Sequence, residues 1–209
     1  MNAGRLLVFE GLDGCGKSTQ IERLAHVLRE TGGDVLVTCE PTDGPWGRRL
    51  REMARGSEPV AAEEELRWFV EDRREHVAQI LAPALEAGRL VLTDRYYLST
   101  VAYQGARGLD WRRILEASEA EFPRPHLVLL LEIEPEAGLA RVRARGEALD
   151  TVFERRGFLE RVAEIFRAVE RPYIERIAAE GAPEEVHAAV RARVAARLGL
   201  LWPAGGRSL

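Results

Sequence analysis

Residues 11–18 read Gly11-Leu12-Asp13-Gly14-Cys15-Gly16-Lys17-Ser18, a glycine-rich segment that ends in a lysine and a serine. It follows a short apolar run, Leu6–Glu10, and precedes a segment with helical spacing of apolar residues, Ser18–Thr31. Glycines allow the backbone to curl so that successive N–H groups point at phosphate oxygens. A strand, a glycine-rich loop and the N-terminus of a helix form an anion site, so the sequence predicts nucleotide binding here.

Two side chains at the end of this phosphate loop (residues 11–18) fit the same chemistry. Lys17 would reach the β- and γ-phosphates of ATP, and the Ser18 hydroxyl would hold Mg²⁺. Lys17 is the only lysine among the 30 basic residues, which indicates a site that needs a compact ammonium. A glycine-rich turn without a ligand is the alternative. We expect ATP to contact the residues Gly11, Leu12, Asp13, Gly14, Cys15, Gly16, Lys17, Ser18 and Thr19.

Strand-like and helix-like segments alternate along the chain. The expected strands are Leu6–Glu10, Val35–Thr38, Leu90–Thr93, Leu127–Glu132 and Tyr173–Ala178. The expected helices are Ser18–Thr31, Trp46–Arg55, Glu63–Ala87 with a bend near Pro83, Leu98–Gln104, Asp110–Ala120, Pro135–Arg145, Gly157–Arg171 and Glu184–Leu198. This order predicts an α/β, P-loop NTPase three-layer fold: a mostly parallel five-stranded sheet with helices on both faces. Ligands in such folds bind outside the carboxyl ends of the strands.

Length and composition predict one domain over residues 1–209, with a loose tail at about 202–209. A net charge of −4 argues against a nucleic-acid polymer as partner, and no apolar run approaches the length of a membrane span. The two cysteines, Cys15 and Cys39, have no spacing typical of zinc or redox motifs, so we expect both to be reduced. These features predict a cytoplasmic protein.

Two further pairs of residues fit a phosphoryl acceptor that is itself a nucleotide. Asp94 and Arg95 close the third expected strand, which would bring a carboxylate near Mg²⁺ and a guanidinium between phosphates. Phe69 and Arg73 are four residues apart on one helix and so share a face, where they could stack on and bond a base. Each pair alone also fits a surface salt bridge, or a core phenylalanine beside a solvated arginine.

The chain resembles the thymidylate kinase family over about residues 6–156. The similar segments are Phe9–Gln20, Thr93–Tyr96, Ser99-Thr100, Ala102–Gly105, Arg124–Leu130, Pro135-Glu136 and Arg141–Gly146. The resemblance implies transfer of the ATP γ-phosphoryl group to dTMP, giving dTDP and ADP for dTTP biosynthesis, with Mg²⁺ and a homodimer. Two alternatives stay open: a kinase of another deoxynucleotide or deoxynucleoside, and a catalytically silent ATP-binding regulatory protein.

The resemblance also implies roles for individual residues. Phe69 would stack on thymine and Arg73 would bond its exocyclic oxygen, while Tyr103 would crowd the 2′ position. The base and sugar pocket would be lined by Ser99, Thr100 and Gln104.

At the phosphates, the resemblance implies that Asp13 lies between the nucleotides, Arg95 bridges them and Arg51 grips the acceptor phosphate. Ser18 and Asp94 are the expected metal residues.

Since Gly14 leaves the phosphate loop without an arginine, the resemblance is to the bacterial type in which a lid supplies the catalytic cation. We expect this lid at about residues 143–156. Arg145 is the chosen candidate among Arg141, Arg143, Arg145, Arg155 and Arg156.

Two segments depart from the family pattern. Thr38-Cys39-Glu40-Pro41-Thr42-Asp43 stands where bacterial members carry Thr-Arg-Glu-Pro-Gly-Gly, and Asp150–Glu154 lacks the arginine of the lid's Asp-Arg-x-Glu. Arg48 or Arg155 is a hypothetical replacement for the missing cations. Both changes bear on the choice of acceptor and on the rate rather than on nucleotide binding.

Overall fold

The structure, a computed structural model, describes residues 4–55, 60–144 and 152–199, with the backbone alone at residues 55 and 152–156. Within these residues five parallel strands form one sheet in the order β2-β3-β1-β4-β5. The strands are β1 (Arg5–Gly11), β2 (Val35–Cys39), β3 (Leu90–Asp94), β4 (Leu127–Glu132) and β5 (Ile174–Ala178). The predicted α/β fold is confirmed, and the described part of the sheet is wholly rather than mostly parallel.

The sheet shows the burial that its sequence predicts. Residues 6–9 of β1 and 127–129 of β4 are fully buried, because helices cover both faces of the central strands. The edge strand β2 instead alternates, with Val35 buried and Val37 exposed. The fifth strand is confirmed at Ile174–Ala178, two residues after Pro172, which ends the preceding helical segment.

Helices fill the connections between the strands. They are α1 (Lys17–Glu30), α2 (Pro45–Arg55), α3 (Ala62–His76), α4 (Ala82–Glu86), α5 (Tyr97–Ala106), α6 (Trp111–Glu121), α7 (Pro135–Ala144), α8 (Val152–Ala168) and α9 (Pro183–Leu198). No helix in the described ranges is long and apolar enough to cross a membrane.

The long helix expected over Glu63–Ala87 is interrupted. A π-helical turn, Val77–Leu81, separates α3 from α4, and the N–H of Ala82 donates to the carbonyl of Val77 five residues back. Pro83 explains the wider turn, since it has no N–H and its ring excludes the carbonyl four residues before it. The bend was expected near Pro83, whereas the π-helical turn begins six residues earlier, at Val77.

The segment after α7 also differs from the expectation. Helix α8 begins at Val152, so Gly157, the expected first residue, lies inside the helix. It ends at Ala168 rather than Arg171, because the residue before Pro172 is excluded from the helical region. Residues 145–151, half of the expected lid, and the expected tail lie outside the described residues. The lid, the tail and the single domain therefore stay predictions.

The strand register brings three functional segments to one edge of the sheet. Phe9 in β1 and Cys39 in β2 both pair with Asp94 at the end of β3, and Gly11 pairs with Leu131 in β4. The phosphate loop, the segment after β2 and the turn after β3 therefore meet at the carboxyl edge, where ligands of such sheets bind.

Candidate active site

The phosphate loop has the backbone shape that its glycines predict. Gly11, Gly14 and Gly16 have φ values of 136°, 83° and 94°, in the region that side chains disfavour. A Cβ at Gly14 would lie 2.3 Å from the carbonyl oxygen of Gly138, so this position also needs the space. Helix α1 begins directly after Gly16 and has no side-chain cap, which leaves its first N–H groups to bind an anion.

Lys17 points into this loop. Its ammonium donates hydrogen bonds to the carbonyls of Gly11, at 3.1 Å, and Leu12, at 3.0 Å. Only 7% of the residue is exposed, and the buried thiol of Cys15 lies 3.8 Å from Nζ. The lone lysine thus provides a compact positive charge within the loop.

Ser18 and Asp94 form a pair that fits a divalent cation. The Ser18 hydroxyl donates to Asp94 Oδ2 at 2.9 Å, while the buried Asp94 Oδ1 has no hydrogen-bond partner. An unpaired carboxylate oxygen beside a hydroxyl is the oxygen donor set that Mg²⁺ prefers. Among the described residues no group of three or more His, Cys, Asp or Glu forms a metal cage, so phosphate and water oxygens would complete the shell.

A cavity of about 340 Å³ opens beside the phosphate loop, between α1, α7 and α9. It is lined by Gly14, Cys15, Gly16, Thr19, Gln20, Arg141, Ala179, Gly181, Pro183 and Val186. The Arg141 guanidinium crosses it and donates to the carbonyls of Ala179 and Glu180, both at 3.0 Å. Arg141, a lid candidate from sequence, therefore belongs to this cavity, which we name the Arg141 cavity.

Arg95 joins the phosphate loop to a second pocket. Its backbone has a φ of 69°, the only positive φ of a non-glycine residue in the described ranges. Its guanidinium donates to Asp13 Oδ1 at 2.6 Å and to Ser99 Oγ at 2.9 Å, and it lies 5.3 Å from the ring centre of Tyr103. A strained backbone with a doubly held guanidinium marks a functional position.

The charged side chains around Arg95 shift one another's pKa values. Burial alone would raise the pKa of Asp13, but the positive charges of Arg95 and Lys17 outweigh it and hold that pKa below its usual value. Burial likewise would lower the pKa of Arg95, but Tyr103 and the carboxylates of Asp13 and Glu10 raise it. Asp13 is therefore ionised and Arg95 charged at neutral pH.

The second pocket, here the acceptor pocket, has a volume of about 250 Å³. The structure brings together in its lining all the residues predicted for the acceptor except Arg51: Phe69, Arg73, Arg95, Ser99, Thr100, Tyr103 and Gln104, together with Asp13. Its remaining lining residues are Glu40, Pro41, Glu65 and Tyr96.

Arg73 is fixed within the acceptor pocket by a buried network. Its guanidinium pairs with Glu40 at 2.7 Å and donates to Thr100 at 2.8 Å, while Glu40 also contacts His76 Nδ1 at 2.9 Å. Arg73 Nη1 and Gln104 Oε1 have no partner, although both residues are 1% exposed. Arg73 Nη1 is thus an unpaired donor, and Gln104 Oε1 an unpaired acceptor, of residues that line the pocket.

A third cavity, of about 300 Å³, lies between the phosphate loop and the acceptor pocket and is bordered by Lys17, Ser18, Cys39, Arg51, Asp94 and Arg95, among others. Arg51 donates to Asp43 Oδ1 at 2.9 Å and to the Pro41 carbonyl at 3.1 Å. Arg48 donates to the Asp43 carbonyl at 2.5 Å, so Arg48 and Arg51 of α2 both hold the unusual segment after β2.

Several contributors were missing from the sequence prediction. Glu40 and Glu65 line the acceptor pocket, and Asp72 fixes Thr42 through its N–H, at 2.9 Å, and its hydroxyl, at 2.6 Å. Glu40 could have been found from the sequence, because it precedes Pro41 in the segment Thr38–Asp43 quoted above. Arg145 lies outside the described residues, and the side chains of Arg155 and Arg156 are likewise not described.

Comparison with known proteins agrees with this geometry. The family model described as "Thymidylate kinase" matches residues 9–190. A thymidylate kinase of Desulfotalea psychrophila is 48% identical over 177 residues, which cover 84% of this chain and 87% of that relative. Thymidylate kinases of Akkermansia muciniphila and Xanthomonas campestris pv. campestris (strain B100) are 45% and 44% identical, over 93% of this chain and 93% and 86% of their own lengths. This chain belongs to the thymidylate kinase family.

Proposed function

We propose that this chain transfers the γ-phosphoryl group of ATP to dTMP, producing dTDP and ADP. The observation that supports it most is Arg95, whose guanidinium links the phosphate loop to a pocket with an unpaired donor and an unpaired acceptor. Family membership supports the same reaction. The acceptor 5′-phosphate oxygen forms a bond to the γ-phosphorus as the bond to the β-phosphate bridging oxygen breaks, and ADP leaves with that electron pair.

On the donor side, ATP phosphates bind the N–H groups of the phosphate loop and Lys17 neutralises charge on the β- and γ-phosphates. The Arg141 cavity is continuous with the loop through Gly14 and Gly16, so it takes the adenine. Arg141 then presents the flat face of its guanidinium to the base.

Ser18 and Asp94 would hold Mg²⁺. An ion held by these residues would supply positive charge to the phosphates of ATP. The contribution of this chain is the unpaired Oδ1 of Asp94 and the Ser18 hydroxyl, which already faces Asp94 Oδ2.

On the acceptor side, Phe69 stacks on thymine and two buried atoms read its edge. Arg73 Nη1 donates to the O4 carbonyl, and Gln104 Oε1 accepts the N3 hydrogen. Cytosine presents the opposite pattern at these two positions, so it would leave both buried groups unpaired, at a cost of about 1–3 kcal/mol for each. Thr100 holds Arg73 in place, and Tyr103 crowds the 2′ position against ribonucleotides.

At the phosphates, catalysis depends on positioned positive charge because phosphoryl transfer passes through a loose transition state. Arg51 binds the acceptor phosphate, Arg95 lies between donor and acceptor, and Asp13 orients Arg95. We further propose that Arg145 supplies the lid cation. A homodimer and a cytoplasmic location stay predictions from the sequence.

A panel of acceptors tests the proposal. ADP release is measured with Mg-ATP and one acceptor at a time: dTMP, dUMP, dCMP, ribothymidine 5′-monophosphate or thymidine. The Lys17→Ala variant provides the blank. We expect strong turnover with dTMP, weak turnover with dUMP and almost none with dCMP, the ribonucleotide or thymidine. Faster turnover on another acceptor would contradict the proposed specificity, and ATP binding without transfer to any acceptor would indicate the regulatory alternative.

A further inference from the structure

Glu10 is a fully buried carboxyl at the end of β1 that the donor and acceptor sites do not use directly. A buried carboxylate is unfavourable unless it is hydrogen-bonded, so its partners indicate its role. Burial raises the pKa of Glu10 to about 7, although hydrogen bonds from Ser99 and the charge of Arg95 act to lower it. At pH 8 the carboxyl is therefore mostly ionised.

The carboxylate accepts three hydrogen bonds from the beginning of α5. The N–H groups of Tyr96 and Ser99 donate to Oε1 at 2.9 and 3.1 Å, and the Ser99 hydroxyl donates to Oε2 at 2.5 Å. Tyr96 provides no side-chain cap of its own. Glu10, from the end of β1, thus caps the N–H of Tyr96 and shares the N–H of Ser99, which also donates to the Tyr96 carbonyl at 3.2 Å.

The same hydroxyl links Glu10 to Arg95. Ser99 Oγ accepts a hydrogen bond from Arg95 Nη1 at 2.9 Å while its one hydrogen points to Glu10. The carboxylate therefore fixes the direction of the hydroxyl, which keeps its lone pairs towards the guanidinium. The other arm of Arg95 bonds Asp13.

We propose that Glu10 is a positioning residue for Arg95, acting through the Ser99 hydroxyl and the turn before α5. The inference rests on the proposed function, in which Arg95 stabilises the transferring phosphoryl group. Glu10 touches neither nucleotide. It holds the guanidinium in place before the substrates arrive, which is the kind of preorganisation that lowers a charge-dominated barrier.

The Glu10→Gln variant removes the carboxylate but keeps the shape of the side chain. Its amide oxygen still accepts the two N–H groups, but its NH₂ can only donate to Ser99 Oγ. The serine hydrogen then loses its acceptor, and the hydroxyl is no longer held with its lone pairs towards the guanidinium. At pH 8 we expect kcat with dTMP to fall roughly tenfold to 100-fold, as is typical when support behind a functional side chain is removed. The Kd values of ATP and dTMP should stay within about threefold.

A double-mutant cycle tests the route through Ser99. Ser99→Ala should lower kcat by a similar factor, and the double variant should lose little more than the worse single variant, because both changes break one relay. Glu119→Gln is the matched control: its carboxylate bonds Tyr173 and Arg171, away from the phosphates, and its removal should affect stability but not kcat.

An unchanged kcat in folded Glu10→Gln, or multiplicative losses in the double variant, would overturn the inference. If Glu10→Gln does not fold, Ser99→Ala decides alone, and an unchanged kcat in that variant would also overturn it. Failure of the proposed function has a different signature, since the unmodified protein would then bind dTMP without phosphorylating it. If it phosphorylates another acceptor, the same cycle is measured with that acceptor.

Discussion

Individual side chains at this site work as matched donors, acceptors and charges, and Lys17 is the simplest case. Its ammonium fits between the carbonyls of Gly11 and Leu12 in a nearly closed space. A guanidinium is larger and planar, so it cannot take the same position although the chain uses arginine everywhere else.

We therefore expect Lys17→Arg to lower kcat with dTMP by at least about 100-fold, the order of loss when one preorganised group at a transferring phosphoryl is no longer in position. The melting temperature should change by only a few degrees. Steady-state turnover and thermal melting check both points. A variant that keeps a tenth or more of the activity would show that only the charge of Lys17 matters.

The base edge is tested by Gln104→Met. The Gln104 Oε1 atom has no partner in the free protein, so a methionine of similar shape should cost little stability. Loss of the hydrogen bond to thymine N3 should raise KM for dTMP roughly tenfold, since one such bond contributes about 1 kcal/mol or slightly more. An unchanged KM for dTMP would remove Gln104 from base recognition.

The buried Glu10 predicts a pH dependence of stability. Its pKa is about 7 in the folded protein against 4.5 for the ordinary side chain, so between these values the folded state binds more protons than the unfolded state. The free energy of unfolding should therefore fall as pH rises from 4.5 to 7, by about 3 kcal/mol for this group.

Urea unfolding of the natural chain and of Glu10→Gln at pH 5 and pH 8 isolates this effect. The stability of Glu10→Gln relative to the natural chain should increase towards pH 8, because the glutamine cannot ionise. If the two proteins differ in free energy of unfolding by the same amount at both pH values, the raised pKa of the buried Glu10 carboxyl is contradicted.

At the scale of single residues, the sequence indicated which side chains lie together where the signal is local. The loop at residues 11–18 is contiguous, and Phe69 and Arg73 share a helix face because of their spacing. Glu40 was missed because its partner Arg73 is 33 residues away. The cavity role of Arg141 was missed because its acceptors are backbone carbonyls, which have no sequence signature.

At the scale of elements, the segment between β2 and α2 depends on α3. Asp72, 1% exposed, accepts hydrogen bonds from the N–H and hydroxyl of Thr42, and Arg51 from α2 bonds the neighbouring Asp43. This contact holds the segment that borders the acceptor phosphate site.

Asp72→Asn should therefore loosen that segment. The amide leaves at least one of the two Thr42 donors without an acceptor, which we expect to destabilise the fold by about 1–3 kcal/mol and to raise KM for dTMP several-fold, with a smaller effect on KM for ATP. Asp34→Asn is the control, because Asp34 makes only an exposed pair with Arg89. Equal changes in both KM values would show that α3 does not act on the acceptor site in particular.

Secondary-structure elements were predictable where the hydrophobic pattern is continuous. β1 and β4 are continuous apolar runs, which are typical of buried strands. A strand was expected after Pro172, where β5 is found. The π-helical turn at Val77–Leu81 was not predictable in position, because a proline disturbs the helical turn before it rather than its own residue. The start of α8 was also misplaced, since the helix was expected to begin at Gly157 and begins at Val152.

At the scale of the whole molecule, the strand order gathers both nucleotide sites at one edge. β1 lies between β3 and β4, so the phosphate loop is flanked by Asp94 and Arg95 on one side and by α7 with Arg141 on the other. The donor site and the acceptor pocket therefore face each other across Arg95. This arrangement fits direct transfer between two bound nucleotides, the reaction proposed for this chain.

The most direct measurement of that claim is the fate of a labelled γ-phosphoryl group. The protein is mixed with Mg²⁺, dTMP and [γ-³²P]ATP in a single turnover, and the products are separated. We predict that the label appears in dTDP in an amount equal to the ADP formed, and that Lys17→Ala forms neither product. Label released as inorganic phosphate, or ATP left intact in the presence of dTMP, would contradict the account.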